Sequence, residues 1–508
     1  MAIKTAERNV ERLGQSNLIR STLRITALLA LLSCAAIYEG FRLTAVSSSD
    51  IWWHLRTGLW MLQSHAIPRT GLFSQYPDSP WIATDWGYDI LLAAAYRLLG
   101  LRAIPALLMS LKIALALVCF LLARGRRGNF WGAVALSAAA QFAIVDLQPT
   151  PISVSILFFG VELMLLFRSR RDGDVRPLYW LPLLFFFWAN LHMQFVNGLL
   201  LLGLFLLAEI AERLLYSSGI TLPRTAGPRA AEYSLGKIFL VSGLSVAATL
   251  LTPYPLELFR TAFNTVYSSV LLGYLPEMHA MAFRRPQHFA LMLLVMAAFF
   301  TLGRQRSRDL FKLGVMGVFV MLAFRVQRDV WCVALPSIAV IADALAERQH
   351  ATGPPNHPAW KWERPVVAAL VLLVLGAAIA RVPGRAMLMQ RVSQSFPVKA
   401  CDFIRNNQLP PPLFNPISWG GFLTWYLPEY PVAIDSRSNL YGDKLTTAHL
   451  KVMSGAERLE TDQSFSRAQT ILLERKAGLT KALTTLPALS QQFRVVYQDD
   501  LATVLVRQ

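Results

Sequence analysis

The stretch Ser49-Asp50-Ile51-Trp52-Trp53-His54-Leu55-Arg56-Thr57-Gly58 packs an acid, two indoles, an imidazole and a guanidinium into one short segment. It begins just after the first long apolar run, Ile25 to Phe41, so these groups stand at a membrane–water boundary. Tryptophans alone would form an ordinary interfacial belt. A carboxylate and a histidine beside them, opening a long polar loop, point to a site that acts on something presented at the bilayer surface. The spacing of Asp50 and His54 places both on one face of a helix. Ser47-Ser48-Ser49-Asp50 is also a good capping string, so a structural role for Asp50 stands beside the chemical one. Arg325 and Arg328 flank a helix end, where guanidinium forks suit a phosphate or pyrophosphate as well as phospholipid headgroups.

These residues are carried by a chain of 508 residues, 54% hydrophobic and 16% charged, a balance that soluble domains rarely reach. Apolar runs near 22–41, 103–123, 130–147, 151–167, 178–192, 195–212, 237–252, 288–303, 310–324, 330–346 and 365–380 approach the length that crosses about 30 Å of hydrocarbon. The expected fold is therefore a mainly α polytopic membrane protein. A net charge of +18 would suit nucleic acid in a soluble protein. Here it sits in short clusters between apolar runs, so membrane orientation explains it and nucleic acid is not an expected partner.

The clusters are Arg124/Arg126/Arg127, Arg168/Arg170/Arg171/Arg176, Arg213 to Lys237, Arg304/Arg306/Arg308/Lys312 and Arg348 to Arg364. They alternate with connections free of Lys and Arg, such as 148–150 and 190–197. The positive-inside rule places the basic set and the N-terminus in the cytoplasm. Trp86 to Gly100 is apolar and helical in pattern, but it is short and carries Asp89 and Arg97. Counting it as a span would invert every later loop, so it is expected to lie on the outer face as an amphipathic or re-entrant helix. About eleven spans remain, with the C-terminus outside.

The first span, behind Lys4, Arg8, Arg12 and Arg20, reads as an uncleaved signal anchor. Leu31-Leu32-Ser33-Cys34 resembles a lipoprotein processing site only faintly, because Ala35-Ala36-Ile37-Tyr38 continues the apolar run. Cys34, Cys119, Cys332 and Cys401 make no C-x-x-C pair, so neither a disulfide framework nor a zinc site is indicated.

This topology gathers Asp50, His54, Asp85, Gln148, Asn190, His192, Glu257, Glu277, His279, Arg325 and Arg328 at outer helix ends or loops, where ionisable groups usually mark function. The expected organisation is a cytoplasmic leader (1–21), a transmembrane domain (22–383) with a long first outer loop (41–102), and an extracytoplasmic α/β domain (384–508). In that last part, Val432-Ala433-Ile434, Thr470 to Leu473 and Phe493 to Tyr497 read as strands. Ala502 to Val506 would complete a terminal hairpin. Ala400–Asn407 and Gly420–Tyr426 read as helices, Trp419-Gly420-Gly421 as a tight turn leading into the second of them, and Asp435/Arg437 as a pair fixing a strand end.

The chain has no P-loop, G-x-G-x-x-G, H-E-x-x-H or G-x-S-x-G motif. A signal anchor, an acid opening a long first outer loop, many spans and a C-terminal soluble domain resemble the GT-C superfamily of integral membrane glycosyltransferases. The chain is similar to a bacterial GT-C-like group in D-x-W-W-H-L-x-T-G (Asp50 to Gly58), Ile67-Pro68 followed by Phe73-Ser74, and Trp81 with Asp85-Trp86. The similarity continues through Trp188-Ala189-Asn190-Leu191-His192, Arg328-Asp329, and Trp419-Gly420-Gly421 leading to Asp435-Ser436-Arg437.

The resemblance implies a GT-C-like helical bundle and transfer of a sugar from a polyprenyl-phosphate-linked donor. The acceptor would be an envelope lipid, glycan or protein on the outer face of the bacterial inner membrane. It makes Asp50 the candidate base or metal ligand, His54 a companion, and Asp85 either a second acid or a helix cap. A divalent metal ion remains open as cofactor, although the D-x-D or E-x-D pair of several GT-C branches is absent.

Trp53 and Arg56 belong to the same motif and are expected at the substrate. Trp52, Trp53, Trp81 and Trp86 fit sugar stacking and, taken singly, better fit an interfacial belt. Asn190 and His192 either hold a sugar hydroxyl or satisfy each other between helices. Arg325 and Arg328 would hold the phosphate. Glu277 and His279, in Leu275-Pro276-Glu277-Met278-His279, lie in a loop expected to cover the site. Two other readings stand: a transporter or flippase of lipid-linked sugars, and a non-catalytic envelope scaffold. A transporter is expected to show inverted repeats or mid-span charges. The sequence shows no repeat, and its unusual charges fall at the outer ends.

Overall fold

The structure, a computed structural model, describes residues 2–125, 129–145, 147–219, 234–268, 270, 273, 276–351, 362–455 and 459–508. Arg126, Arg127 and Leu275, named above, lie outside the described residues, as do most residues of the basic connections from Arg213 to Lys237 and from Arg348 to Arg364.

The protein is a multi-pass helical membrane protein with a small sheet-containing tail. Its helices up to residue 380 are α1 (Ala2–Arg42), α2 (Asp50–Ser64), α3 (Trp86–Leu99), α4 (Ala103–Arg124), α5 (Phe130–Ala143), α6 (Ile152–Asp172) and α7 (Leu181–Leu191). There follow α8 (Phe195–Ser217), α9 (Leu235–Ala248), α10 (Glu257–Tyr267), α11 (Pro286–Arg304), α12 (Leu310–Arg325), α13 (Trp331–Ala351) and α14 (Glu363–Ala380). All eleven expected apolar runs are helical. Seven segments among the described residues are long and apolar enough to cross a membrane: Ile19–Arg42, Trp86–Arg124, Ile152–Asp172, Phe195–Ser217, Pro286–Arg304, Gln327–Ala346 and Glu363–Ala380. The others, such as α5 and α9, are shorter apolar helices.

Trp86 to Gly100 is less separate than the sequence implies. A 3-10 turn over Gly100–Arg102 joins α3 directly to α4. One face of α3 buries Tyr88, Asp89, Leu92 and Ala93, while Leu91 and Leu98 stay exposed. The buried face packs on α2 at close range, because Gly58 leaves room there: a Cβ at that position would stand 1.9 Å from the Asp89 carbonyl oxygen.

At one end of the bundle the basic clusters are partly neutralised rather than free. Arg170 pairs with Glu209 (2.7 Å), Glu212 (2.8 Å) and Asp309 (3.0 Å), while Lys312 pairs with Asp343 (2.6 Å) and Arg124 with Glu363 (2.7 Å). Asp309 also caps α12 by accepting from the Lys312 N–H. Nor are all charges at helix ends: Glu162, in the middle of α6, is fully buried, and among the described residues neither carboxylate oxygen has a hydrogen-bond partner.

The tail holds a four-stranded sheet in the order β1 (Leu413–Phe414), β2 (Thr470–Glu474), β4 (Ala502–Arg507), β3 (Phe493–Gln498). β1 runs parallel to β2, and β4 pairs antiparallel with both β2 and β3, forming the expected terminal hairpin. Ile471 and Leu473 of β2, with Phe414, Leu505, Leu479 and Leu483, fill a second apolar core of the tail's own.

Two expectations fail in this part. Val432–Ile434 is no sheet strand; Val432 forms a single bridge to Ser74 of the first loop. Trp419-Gly420-Gly421 is no turn but lies inside the helix Ile417–Tyr426, where the glycines permit close approach. A Cβ on Gly420 would meet the Ile434 carbonyl oxygen at 2.0 Å, and one on Gly421 the Ser49 carbonyl oxygen at 2.4 Å. The tail thereby lies flush on the start of α2.

Candidate active site

Helix α2 starts at Asp50 and sends its residues in three directions. Successive side chains turn by roughly 100°. Trp52 therefore faces the tail, where it is fully buried against Phe396, Phe422 and Trp425. Trp53 and His54 face a cavity of about 730 Å³, and their rings stack at 3.6 Å. The buried Trp52, Trp53 and Trp81 are thus structural and site residues rather than a lipid-facing belt.

The cavity is walled by the first loop, by ends of α1, α5, α6, α11 and α13, by Lys112 from the middle of α4, and by Ser436 to Asn439 of the tail. Seven predicted site residues line it: Asp50, Trp53, His54, Asp85, His192, Glu277 and Arg328. Asp50 does not cap α2. It is the first helical residue, and its Oδ1 accepts from Ser49 Oγ (3.1 Å) and from Ser436 Oγ (2.6 Å). The same Ser436 oxygen accepts from Trp53 Nε1 at 3.0 Å.

Asp85 precedes α3 without a side-chain capping bond. Thr84 Oγ1 donates to its Oδ2 at 3.0 Å, while Oδ1 is buried with no partner among the described residues. Burial pushes the Asp85 carboxyl up to about 7; Asp89 adds to the rise, and His54, Thr84 and Arg328 oppose it. His54 Nδ1 pairs with Asp89 Oδ1 at 2.6 Å. Burial alone would drive the proton off His54, but Asp89, with Asp85 and Asp50 behind it, outweighs this and raises its proton affinity.

His192 follows the end of α7 in extended backbone, which turns its ring inward. Its Nδ1 pairs with Ser155 Oγ (2.7 Å), which also accepts from Trp188 Nε1 (2.6 Å). Arg328 enters through the 3-10 turn Gln327–Asp329, and Glu277 through the 3-10 turn Pro276–Met278. The two turns are tied together, since the Gln327 N–H donates to the His279 carbonyl at 2.9 Å.

Four predicted residues are placed elsewhere. Arg56 is two residues past His54, about 200° around the helix, and stacks over Phe73 at 4.9 Å. Asn190 is a brace: its amide donates to Phe186 O (2.8 Å) and Leu251 O (3.1 Å), not to His192 or the cavity. His279 is exposed, with Nε2 near the Gly273 carbonyl oxygen at 3.1 Å. Arg325 ends α12 exposed, because the chain turns inward only after it.

The sequence reading missed Asp89, Lys112 and the full part played by Arg437. Asp89 lies one helical turn after Asp85, a spacing that places both on one face. Lys112, a lone cation in an apolar span, lines the cavity and reaches Glu39 at 3.6 Å. Asp435 and Arg437 do pair, at 2.6 Å and fully buried, and Arg437 forms cavity wall as well as bracing. Arg437 also lies over the Trp81 ring at 4.7 Å, and Asp435 holds it firmly charged.

Metal binding fits poorly. Asp50 Oδ1 is engaged by hydroxyls, and no group of three His, Cys, Asp or Glu side chains among the described residues is placed to hold an ion. No step is therefore derived through a metal. The four cysteines are free.

No protein-family model and no curated protein matches the chain. Among solved structures it resembles the archaeal oligosaccharyltransferase AglB from Archaeoglobus fulgidus in complex with an inhibitory peptide and a dolichol-phosphate. The TM-score is 0.54 at 12% identity, covering 92% of this chain and 72% of that one. The A. fulgidus oligosaccharyltransferase tethered to an acceptor peptide containing the NVT sequon gives 0.53 at 12% identity, over 95% and 74%. In its apo form the same enzyme gives 0.53 at 12% identity, over 92% and 72%. At such identity the likeness establishes the fold: this is a multi-pass membrane protein of GT-C fold.

Proposed function

We propose that the protein is a membrane glycosyltransferase. It moves a sugar from a polyprenyl-phosphate-linked donor to an envelope lipid, glycan or protein at the outer face of a bacterial inner membrane. The observation that carries this reading is the single cavity that unites Asp50 and Asp85 with the Arg328 guanidinium and the Trp53 and Trp81 rings. Its rim between α1 and the end of α5 holds Tyr38, Arg42, Ile144 and Val145, a mixture suited to a lipid chain with an anionic head.

In the transfer, the bond from sugar C1 to the phosphate oxygen breaks and its electron pair stays on the phosphate. Arg328 offsets that charge. Asp50 and Asp85 hold the incoming hydroxyl, and Asp50 stabilises oxocarbenium-like charge at C1. The two tryptophans bound the sugar. Residues 384–508 act on the same side as the first loop, supplying Ser436 and Arg437 to the wall.

The test is mass spectrometry of envelope glycans from a deletion strain, complemented with wild type or with Asp50→Asn. The expected result is one missing linkage, restored by wild type and not by a folded Asp50→Asn protein. An unchanged product with that variant sinks the catalytic reading and leaves the scaffold. A reporter fused after residue 128 tests the orientation; exposure outside the cell there overturns it.

A further inference from the structure

We propose that the His54–Asp89 pair is the proton acceptor of this transfer, and that His192 is its neutral counterpart, presenting an N–H to the departing phosphate. The inference rests on the glycosyl-transfer reading above, and it moves the proton from the first-loop carboxylate to a histidine.

The geometry of His54 is that of an oriented base. Its Nδ1 is tied to Asp89 at 2.6 Å, and both side chains are almost wholly buried. Among the described residues Asp89 makes no second hydrogen bond: its Oδ2 is buried without a partner, so His54 is the group its charge reaches through hydrogen bonding. The ring is fixed between the stacked Trp53 and the edge of Tyr88, at 5.5 Å. Trp53 is in turn pinned by Ser436. With Nδ1 occupied, Nε2 is the atom left to take a proton from a bound hydroxyl. Asp50 differs, since its Oδ1 already accepts two hydroxyls.

His192 is built the opposite way. Its ring partner is a hydroxyl, not a carboxylate. Ser155 Oγ accepts from the Trp188 N–H and keeps its own proton to give; in the tautomer proposed here that proton goes to His192 Nδ1. That leaves the hydrogen of the neutral ring on Nε2, as a donor. Two histidines of one cavity thus differ in what holds them, a common way to divide acid and base roles.

The step balances. The acceptor O–H bond breaks and its proton goes to His54 Nε2 as the oxygen bonds to C1. The C1–O bond to phosphate breaks, and the electron pair remains on the phosphate oxygen facing Arg328 and His192 Nε2–H. His54 then returns its proton to water.

The groups that set the titration of His54 are Asp89, Asp85 and Asp50, which raise it, against burial, which lowers it. Arg437 acts on Asp89 from the tail, and His192 feels His54 across the cavity. Activity is therefore expected to rise with pH on a limb lying above the ordinary histidine value, as His54 loses its proton.

The experiment uses the full chain in nanodiscs with undecaprenyl-phosphate-linked glucose, mannose and arabinose as donor probes and water as the default acceptor. It reads kcat/KM against pH. His54→Gln and Asp89→Asn, which both retain a hydrogen-bonding partner, are expected to lower kcat by about 10²–10⁴ with little change in KM. The ascending limb should vanish in His54→Gln and move to lower pH in Asp89→Asn. In Asp85→Asn it should persist, displaced downward. A limb that survives His54→Gln and disappears in Asp85→Asn overturns the proposal in favour of the carboxylate. Wild type inert with every donor overturns the glycosyl-transfer reading instead. Nitrogen NMR of histidine-labelled protein supplies a second arm: a His54 titration unmoved by Asp89→Asn also overturns the proposal.

Discussion

Ser436 Oγ donates to Asp50 Oδ1 at 2.6 Å and joins residues 386 positions apart in the chain. Through the same oxygen it holds Trp53, so the tail sets both an acid and an indole of the cavity. Ser436→Ala is expected to remove both bonds, at about 1 kcal/mol each. Thermal unfolding in detergent should show a loss of about 1–3 kcal/mol, and Ser436→Thr should recover most of it. An unchanged transition for the alanine variant contradicts the contact.

Close packing of α2 on α3 makes Gly58 a second point of failure. Its substitution by alanine puts a Cβ 1.9 Å from the Asp89 carbonyl oxygen, where only backbone movement relieves the clash. Gly58→Ala is expected to cost about 1–3 kcal/mol or more and to draw His54 away from Asp89. Donor turnover should then fall more steeply than the stability does. Normal turnover in this variant rules out the tight α2–α3 contact.

Asp85 gives a pH signature of known sign. Its carboxyl is raised in the folded protein from 3.8 to about 7. Between those values the folded state holds a proton that the unfolded chain has released, so stability falls as pH rises through this window. Asp85→Asn removes that dependence. The variant should gain stability relative to wild type from about pH 4 to about pH 7 and no further above it. Parallel curves for the two proteins across that range exclude a buried, protonated Asp85.

The Asp435–Arg437 pair is fully buried, so removing one partner strands the other. Asp435→Ala is expected to destabilise the tail and its docking by about 3–5 kcal/mol. Replacing both residues by apolar ones of similar size should cost less than the single change. A double-mutant cycle on thermal unfolding measures this, and additivity of the two single losses refutes the pairing.

The arginine cluster at the other end of the bundle allows a similar check away from the site. Arg170 meets Glu209, Glu212 and Asp309 in buried surroundings. Arg170→Met should destabilise the fold by about 3–5 kcal/mol while the pH profile of turnover in the surviving protein keeps its shape. A shifted profile contradicts the separation of this cluster from the cavity.

The sequence by itself determined that the chain is a membrane helical bundle, and it located every apolar run, because hydrocarbon length and backbone satisfaction leave few alternatives. It also marked Asp50, His54, Asp85, His192 and Arg328, since charge at a membrane boundary is costly enough to stand out. Tertiary structure alone decided the rest. Helical phase turned Arg56 away two residues from His54, and a chain turn between them separated Arg325 from Arg328. Asp89 acquired meaning only when Gly58 let α3 approach α2. The tail's place in the cavity depends on glycine contacts and on Ser436, across a sequence distance that no local pattern records. Periodicity reports which face of an element is apolar; which elements meet on the polar face is set by packing.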